Sequence, residues 1–167
     1  MTTNVHGNSG DESRGTWCTP KWLCELMGEF DLDPCSNERS HVQAARRYTL
    51  PVFDGLSYWS TVAASQRVFI NPPYSQGQVI KWVWAYAHTD FTFLLRWDPS
   101  TAWFRELIYG ASLHGRARFA WFPTGRRINF EAPPGVKASS STMPHALYMK
   151  KEPNAALKKH GLTVELK

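Results

Sequence analysis

Arg67-Val68-Phe69-Ile70-Asn71-Pro72-Pro73-Tyr74-Ser75 joins a short apolar run to a stiff, polar exit. Val68, Phe69 and Ile70 are β-branched or aromatic, and the run is of a length suited to a buried strand. Pro72 and Pro73 remove backbone donors and fix the path by which the chain leaves that strand. The Asn71 amide, the Pro72 carbonyl and the Tyr74 ring are therefore held around one point. Two acceptors beside a rigid aromatic face suit a flat amino group carried on a ring. On its own, a strand followed by two prolines is no more than a turn. Here Val79, Ile80, Val83, Trp84 and Ala87 follow at helical spacing, so Asn71 lies in a strand-to-helix crossover, where α/β proteins place ligands.

Upstream, Thr19-Pro20 reads as an N-cap and first helical residue, with the helix running over 21–27 and stopped by Gly28. Phe30-Asp31-Leu32-Asp33-Pro34-Cys35-Ser36 follows as a short strand. Two acids around a strand residue are costly unless the second lies at the tip, against water or a ligand. A second strand is expected over 46–50, closed by Pro51, then a turn at Asp54-Gly55-Leu56. Trp59 is expected to cover an apolar face, and 61–66 is a polar link. Downstream, 91–95 is a buried strand, 101–108 a helix, 113–122 one or two strands and 145–149 a late strand. Leu162, Val164 and Leu166 suggest a last edge strand. The alternation argues an α/β fold: an open, mostly parallel sheet with helices on both faces. Residues 1–15 read as a flexible arm, and 16–167 as one domain. Within it, 123–141 is a long irregular segment carrying Arg126, Arg127 and Lys137.

With 43% hydrophobic and 14% aromatic residues in 167, including eight Trp, the chain has ample material for one core. No apolar run is long enough to span a bilayer, and the N-terminal stretch lacks a signal-peptide core, so a cytoplasmic protein with no membrane partner is expected. Three cysteines, Cys18, Cys24 and Cys35, indicate no disulfide framework. A zinc site built from them with His41 fails on spacing, so no metal is expected. The net charge of +5 favours a polyanionic partner.

These residues carry a resemblance. Thr19-Pro20, Leu32-Asp33-Pro34-Cys35-Ser36, Asp54-Gly55-Leu56 with Trp59, Asn71-Pro72-Pro73-Tyr74-Ser75, Thr101-Ala102-Trp103-Phe104 and Gly115-Arg116 with Phe119 resemble, in order, the small DNA N6-adenine methyltransferases encoded by phages and prophages. The resemblance spans residues 17–149 and implies a Rossmann-like, S-adenosylmethionine-dependent fold. Such an enzyme would work in the cytoplasm of the host cell, for restriction-modification or another purpose. It implies catalytic roles for Asn71, Pro72, Pro73 and Tyr74. It implies cofactor contacts from Trp17, Thr19, Pro20, Asp33, Pro34, Cys35, Ser36, Asp54 and Asn71. The Asp33-Pro34-Cys35-Ser36 loop lacks the two glycines of the longer family motif, and Ser36-Asn37 is expected to supply the turn, since Asn tolerates left-handed geometry. For Asp54 an ordinary Asp-Gly turn remains the alternative.

The expected partner is double-stranded DNA with its adenine flipped from the stack. Arg116, Arg118, Arg126, Arg127 and Lys137 are the candidate phosphate contacts, gathered near segment 123–141. Little of the chain is left for a separate recognition domain, so a short site read by a monomer, or by a homodimer on a palindrome, is expected. The amine clamp itself would serve cytosine N4, an RNA base or a protein amide equally well. A nucleic-acid-binding module without turnover, on the same scaffold, is the reading of another class.

Overall fold

The computed structural model describes residues 17–74, 77–110, 116–137 and 143–166. The arm at 1–15, Ser75, Gly115 and the end of segment 123–141 lie outside the described residues.

The chain runs α1 (Lys21–Met27), β1 (Phe30–Asp33), β2 (Ala44–Arg47), α2 (Gly55–Tyr58), a 3₁₀ turn (Trp59–Thr61), β3 (Arg67–Ile70), α3 (Gln78–Tyr86) and β4 (Asp90–Arg96). It continues through α4 (Ala102–Tyr109), β5 (Phe119–Pro123), β6 (His145–Met149), α5 (Ala155–His160) and β7 (Gly161–Glu165). The seven strands form one sheet in the order β2-β1-β3-β4-β6-β5-β7. The first four are mutually parallel, and β6 and β7 run against their neighbours. Half the sheet is thus parallel and half antiparallel in its pairings.

Sequence alternation sorts the core into two layers. On β4, Phe91, Phe93 and Leu95 face one layer with α3 and α4; Leu94 faces the other with α1 and α5. Val68 and Ile70 join the first layer and Phe69 the second. Both faces are covered, so the inner strands read as nearly continuous apolar runs. Winding from β1 goes outward to β2 and then back across to β3, so the strand order reverses between β1 and β3. Such a reversal opens a crevice at the carboxyl ends of the strands.

Several elements differ from the sequence reading. Pro20, not Thr19, is the N-cap residue of α1 and offers no side-chain cap. The second strand lies at 44–47 instead of 46–50, because its partner β1 ends at Asp33, whose carbonyl accepts the last cross-strand bond from Tyr48 N–H (2.9 Å). Asp54 caps a short helix in place of a simple turn. Trp59 is 42% exposed and covers little beyond the edge of His88. Helix α5 went unread, although Asn154 caps it through Leu157 N–H (2.8 Å) and Lys158, Lys159 and His160 suit its carboxyl end.

Candidate active site

Asp33 ends β1 and Asn71 follows β3. Leu32 stands opposite Val68, so both polar residues leave neighbouring strands at the same end of the sheet. They border one cleft of about 880 Å³. Of the expected cofactor residues, Trp17, Thr19, Asp33, Pro34, Cys35, Ser36, Asp54 and Asn71 line it, as do Pro72, Pro73 and Tyr74. Pro20 does not; its carbonyl accepts from Leu23 and Cys24 N–H at the start of α1. Its part is to set that helix.

Asn71 is half-buried, and its amide is oriented. Nδ2 donates to Thr19 Oγ1 (3.3 Å), which leaves Oδ1 as the free acceptor. Among the described residues neither Oδ1 nor the Pro72 carbonyl accepts a hydrogen bond. The hydroxyl expected to cap α1 thus aims the amide instead.

Asp33 is 3% exposed. Its carboxylate accepts from Cys35 N–H (3.1 Å) and the Ser40 hydroxyl (3.4 Å). Burial raises its pKa from 3.8 to about 6, against the pull of those donors and of Arg47. Burial also raises the Cys35 thiol well above its ordinary range, although the Asn71 backbone N–H lies against it.

The loop after β1 turns without left-handed residues: no non-glycine among the described residues has positive φ, so Ser36-Asn37 does not act as expected. Asn37 works through its side chain, Oδ1 accepting from Arg39 N–H (2.9 Å), while Ser36 N–H donates to the Tyr48 carbonyl (3.0 Å). One close backbone approach to this loop does require a glycine, from outside it. A Cβ on Gly55 would collide with the Pro34 carbonyl and the Trp82 ring, so only glycine permits this approach. Helix α3 holds that glycine in place: Tyr86 donates to the Gly55 carbonyl (2.7 Å) and stacks on Trp82. Asp54 is exposed, and its two oxygens accept from Leu56 N–H and the Ser57 hydroxyl (both 3.0 Å). Capping α2 is its visible role.

Tyr74 is fixed by its hydroxyl, which donates to the Leu94 carbonyl (3.1 Å). His145 meets its ring edge-on at 5.9 Å, and Phe130 meets His145 at 4.9 Å. Burial, and then Arg96, lowers the His145 pKa from 6.5 to about 4, so the imidazole is neutral at pH 7. Arg96, Phe130, His145 and Trp82 all line the cleft and were missed from sequence. Only tertiary proximity marks them.

The five basic residues do not form one group. Arg126, Arg127 and Lys137 follow the carboxyl end of β5, level with Asn71. Arg116 and Arg118 precede β5, and Arg118 N–H donates to the Met149 carbonyl at the opposite end of the strands. A five-residue strand lies between the two sets, so the expected single cluster is corrected to two. Arg126 rests its guanidinium over Trp22, 4.6 Å from the ring centre.

Segment 123–137 is anchored. Glu131 pairs with Cys18 through both backbone bonds, and its carboxylate accepts from Lys21 N–H (3.1 Å) and contacts His41 Nε2 (2.7 Å). Although burial raises the Glu131 pKa, His41 and the Lys21 N–H lower it on balance. Glu131→Ala removes a cap on α1 borrowed from another loop, so stability falls by about 1 kcal/mol. Denaturant titration checks this, and the difference narrows as pH falls through the depressed Glu131 pKa.

Among the described residues no helix is long and apolar enough to cross a membrane. No curated protein and no solved structure matches the chain. A family model described as DNA N-6-adenine-methyltransferase (Dam) matches residues 6–153, nearly the whole chain, and the protein belongs to that family of DNA-modifying enzymes.

Proposed function

We propose that the enzyme uses S-adenosylmethionine to methylate adenine N6 within a short site in double-stranded DNA, on a Rossmann-like sheet. The observation that carries this reading is the shared cleft, with an unengaged amide oxygen on one strand tip and a buried carboxylate on the next. The cleft also offers a fit for the cofactor. Trp82 Nε1 is buried with no partner among the described residues, and its side chain borders the same cleft as Asp33 and Asn71. Asp33 would receive the cationic methionine portion, with Trp17 and Thr19 enclosing it. Cys35, Ser36, Asp54 and Trp82 would line the nucleoside portion.

When bound, S-adenosylmethionine supplies an electrophilic methyl group and a thioether leaving group. The chain's part is to prepare the amine. Adenine N6 is a weak nucleophile because its lone pair is delocalised into the ring. Asn71 Oδ1 and the Pro72 carbonyl accept its two N–H groups, favour pyramidal nitrogen and aim the lone pair along the line of displacement. The contribution is orientation and fixed dipoles. Tyr74 stacks on the extruded base. No strong base is needed first, since the proton leaves after the N–C bond has formed.

Methyl transfer from labelled S-adenosylmethionine, followed by nucleoside analysis, tests the reading. Label in N6-methyladenine supports it; label in cytosine, RNA or protein alone, or none, refutes it. Segment 123–141, with its Arg126-Arg127 pair, would read the site, in a monomer or a homodimer. Arg126→Ala with Arg127→Ala is expected to weaken DNA binding and lower its salt slope by about two. Cofactor affinity stays unchanged. An unaltered slope removes this face from the interface.

A further inference from the structure

Arg96 ends β4 at the mouth of the cleft. Its backbone is fixed: it stands opposite His145 in the ladder, and its carbonyl accepts from the Tyr148 hydroxyl (3.0 Å). Its side chain is exposed, and among the described residues the guanidinium has neither a hydrogen bond nor an ion pair. What it has is a ring. The guanidinium carbon lies 4.8 Å from the centre of Tyr74. Tyr74 packs against the core and is tied at its hydroxyl, and both its ring and Arg96 line the cleft.

An aromatic plate holds one flat group on one face. A guanidinium and a purine are both flat, and each gains from an aromatic surface. They therefore exclude each other on Tyr74. Among the described residues the Arg96 guanidinium is held on the ring by this contact alone, without a hydrogen bond, and Arg carries five donors suited to phosphate oxygens. Extrusion of a nucleotide into the cleft brings a base to the plate and phosphates to its rim together.

We propose that Arg96 occupies the base position on Tyr74 in the free enzyme, and that an entering adenine displaces it onto the phosphate of the extruded nucleotide. The proposal rests on the reading that Tyr74 stacks the target base. It makes Arg96 a positioning residue that couples base entry to phosphate capture.

The test is Arg96→Met, which keeps an unbranched apolar stem but loses the flat cation and its donors, on an exposed position. The DNA probe is a duplex with one mismatched adenine, whose extrusion costs least. Its affinity is expected to fall about tenfold, and the slope of log affinity against log salt by about 0.9, one phosphate contact. Binding of 2-aminopurine riboside, which has no phosphate, is expected to hold or improve because the plate is vacant. Arg96→Lys restores the slope. Unchanged duplex affinity and slope overturn the proposal, as does parallel loss of the riboside. These are binding measurements, so they stand without turnover. A wild-type protein that binds the duplex but transfers no methyl sinks the catalytic reading and leaves Arg96 to be judged by its slope.

Discussion

Asn71→Ala lowers kcat for methyl transfer by about 10²–10³-fold, the loss that follows removal of one preoriented polar group from a reacting centre. The expectation is large because Thr19 already holds the amide by its Nδ2, leaving Oδ1 pointed and unengaged. Nothing has to reorganise when the amine arrives. Alanine leaves the Pro72 carbonyl as the single acceptor, so the nitrogen is neither pyramidalised nor aimed. Cofactor affinity should change by less than about threefold, since the orientation effect belongs to the transition state. Steady-state kinetics beside calorimetry separate the two. A variant that keeps its kcat would show that the clamp is not made by this side chain.

Asp33→Asn is the second large effect, and it falls on binding. A charged hydrogen-bond partner contributes about 1.5–3 kcal/mol, so cofactor affinity at pH 8 falls by about 10- to 100-fold. The pH dependence has a definite sign. Burial puts the Asp33 pKa near 6, above its ordinary 3.8. Below pH 6 the carboxyl is neutral in the free protein, and affinity for a cationic ligand falls as pH drops through that value. Folding stability moves the other way. A raised pKa means the folded state holds the proton more tightly than the unfolded chain. This group's contribution to stability is complete below pH 4 and is lost as pH rises through 6. The Asn variant should show a flat affinity profile across pH 5–8 and a melting temperature at pH 8 no lower than the parent's. Titration calorimetry and thermal melts over that range decide it. A parent whose affinity is constant from pH 5 to 8 would remove Asp33 from the cation's contacts.

What the sequence made legible was local. The apolar run at 68–70, the two prolines and the helical spacing after them each act over a few residues, and β3, Asn71 and α3 follow from them. Asp33 was readable because a buried acid beside Leu32 is costly anywhere but at a strand tip. The turn after it was not. Its shape depends on Tyr48 from beyond β2 and on Gly55 in α2's first turn, against which Pro34 packs. Spacing along the chain carries no record of such a meeting. The basic residues show the same limit. Arg118 and Arg126 are close in number but lie at opposite ends of β5, because a strand carries the chain across the sheet between them. Phe130, His145, Arg96 and Trp82 entered the cleft from three different elements and a loop, and each looked like ordinary core or surface material in isolation.

The register of Leu32 with Val68 has one more consequence. Adjacent strands in a sheet stand about 4.8 Å apart, a separation set by backbone hydrogen bonds. The span between the carboxylate that would anchor one reactant and the amide that would grip the other is therefore a property of the ladder. Loops that would carry the contacts to DNA can lengthen, shorten or be exchanged, and the gap between those two groups stays the same. A scaffold of this kind lets recognition diverge while the chemistry is inherited intact.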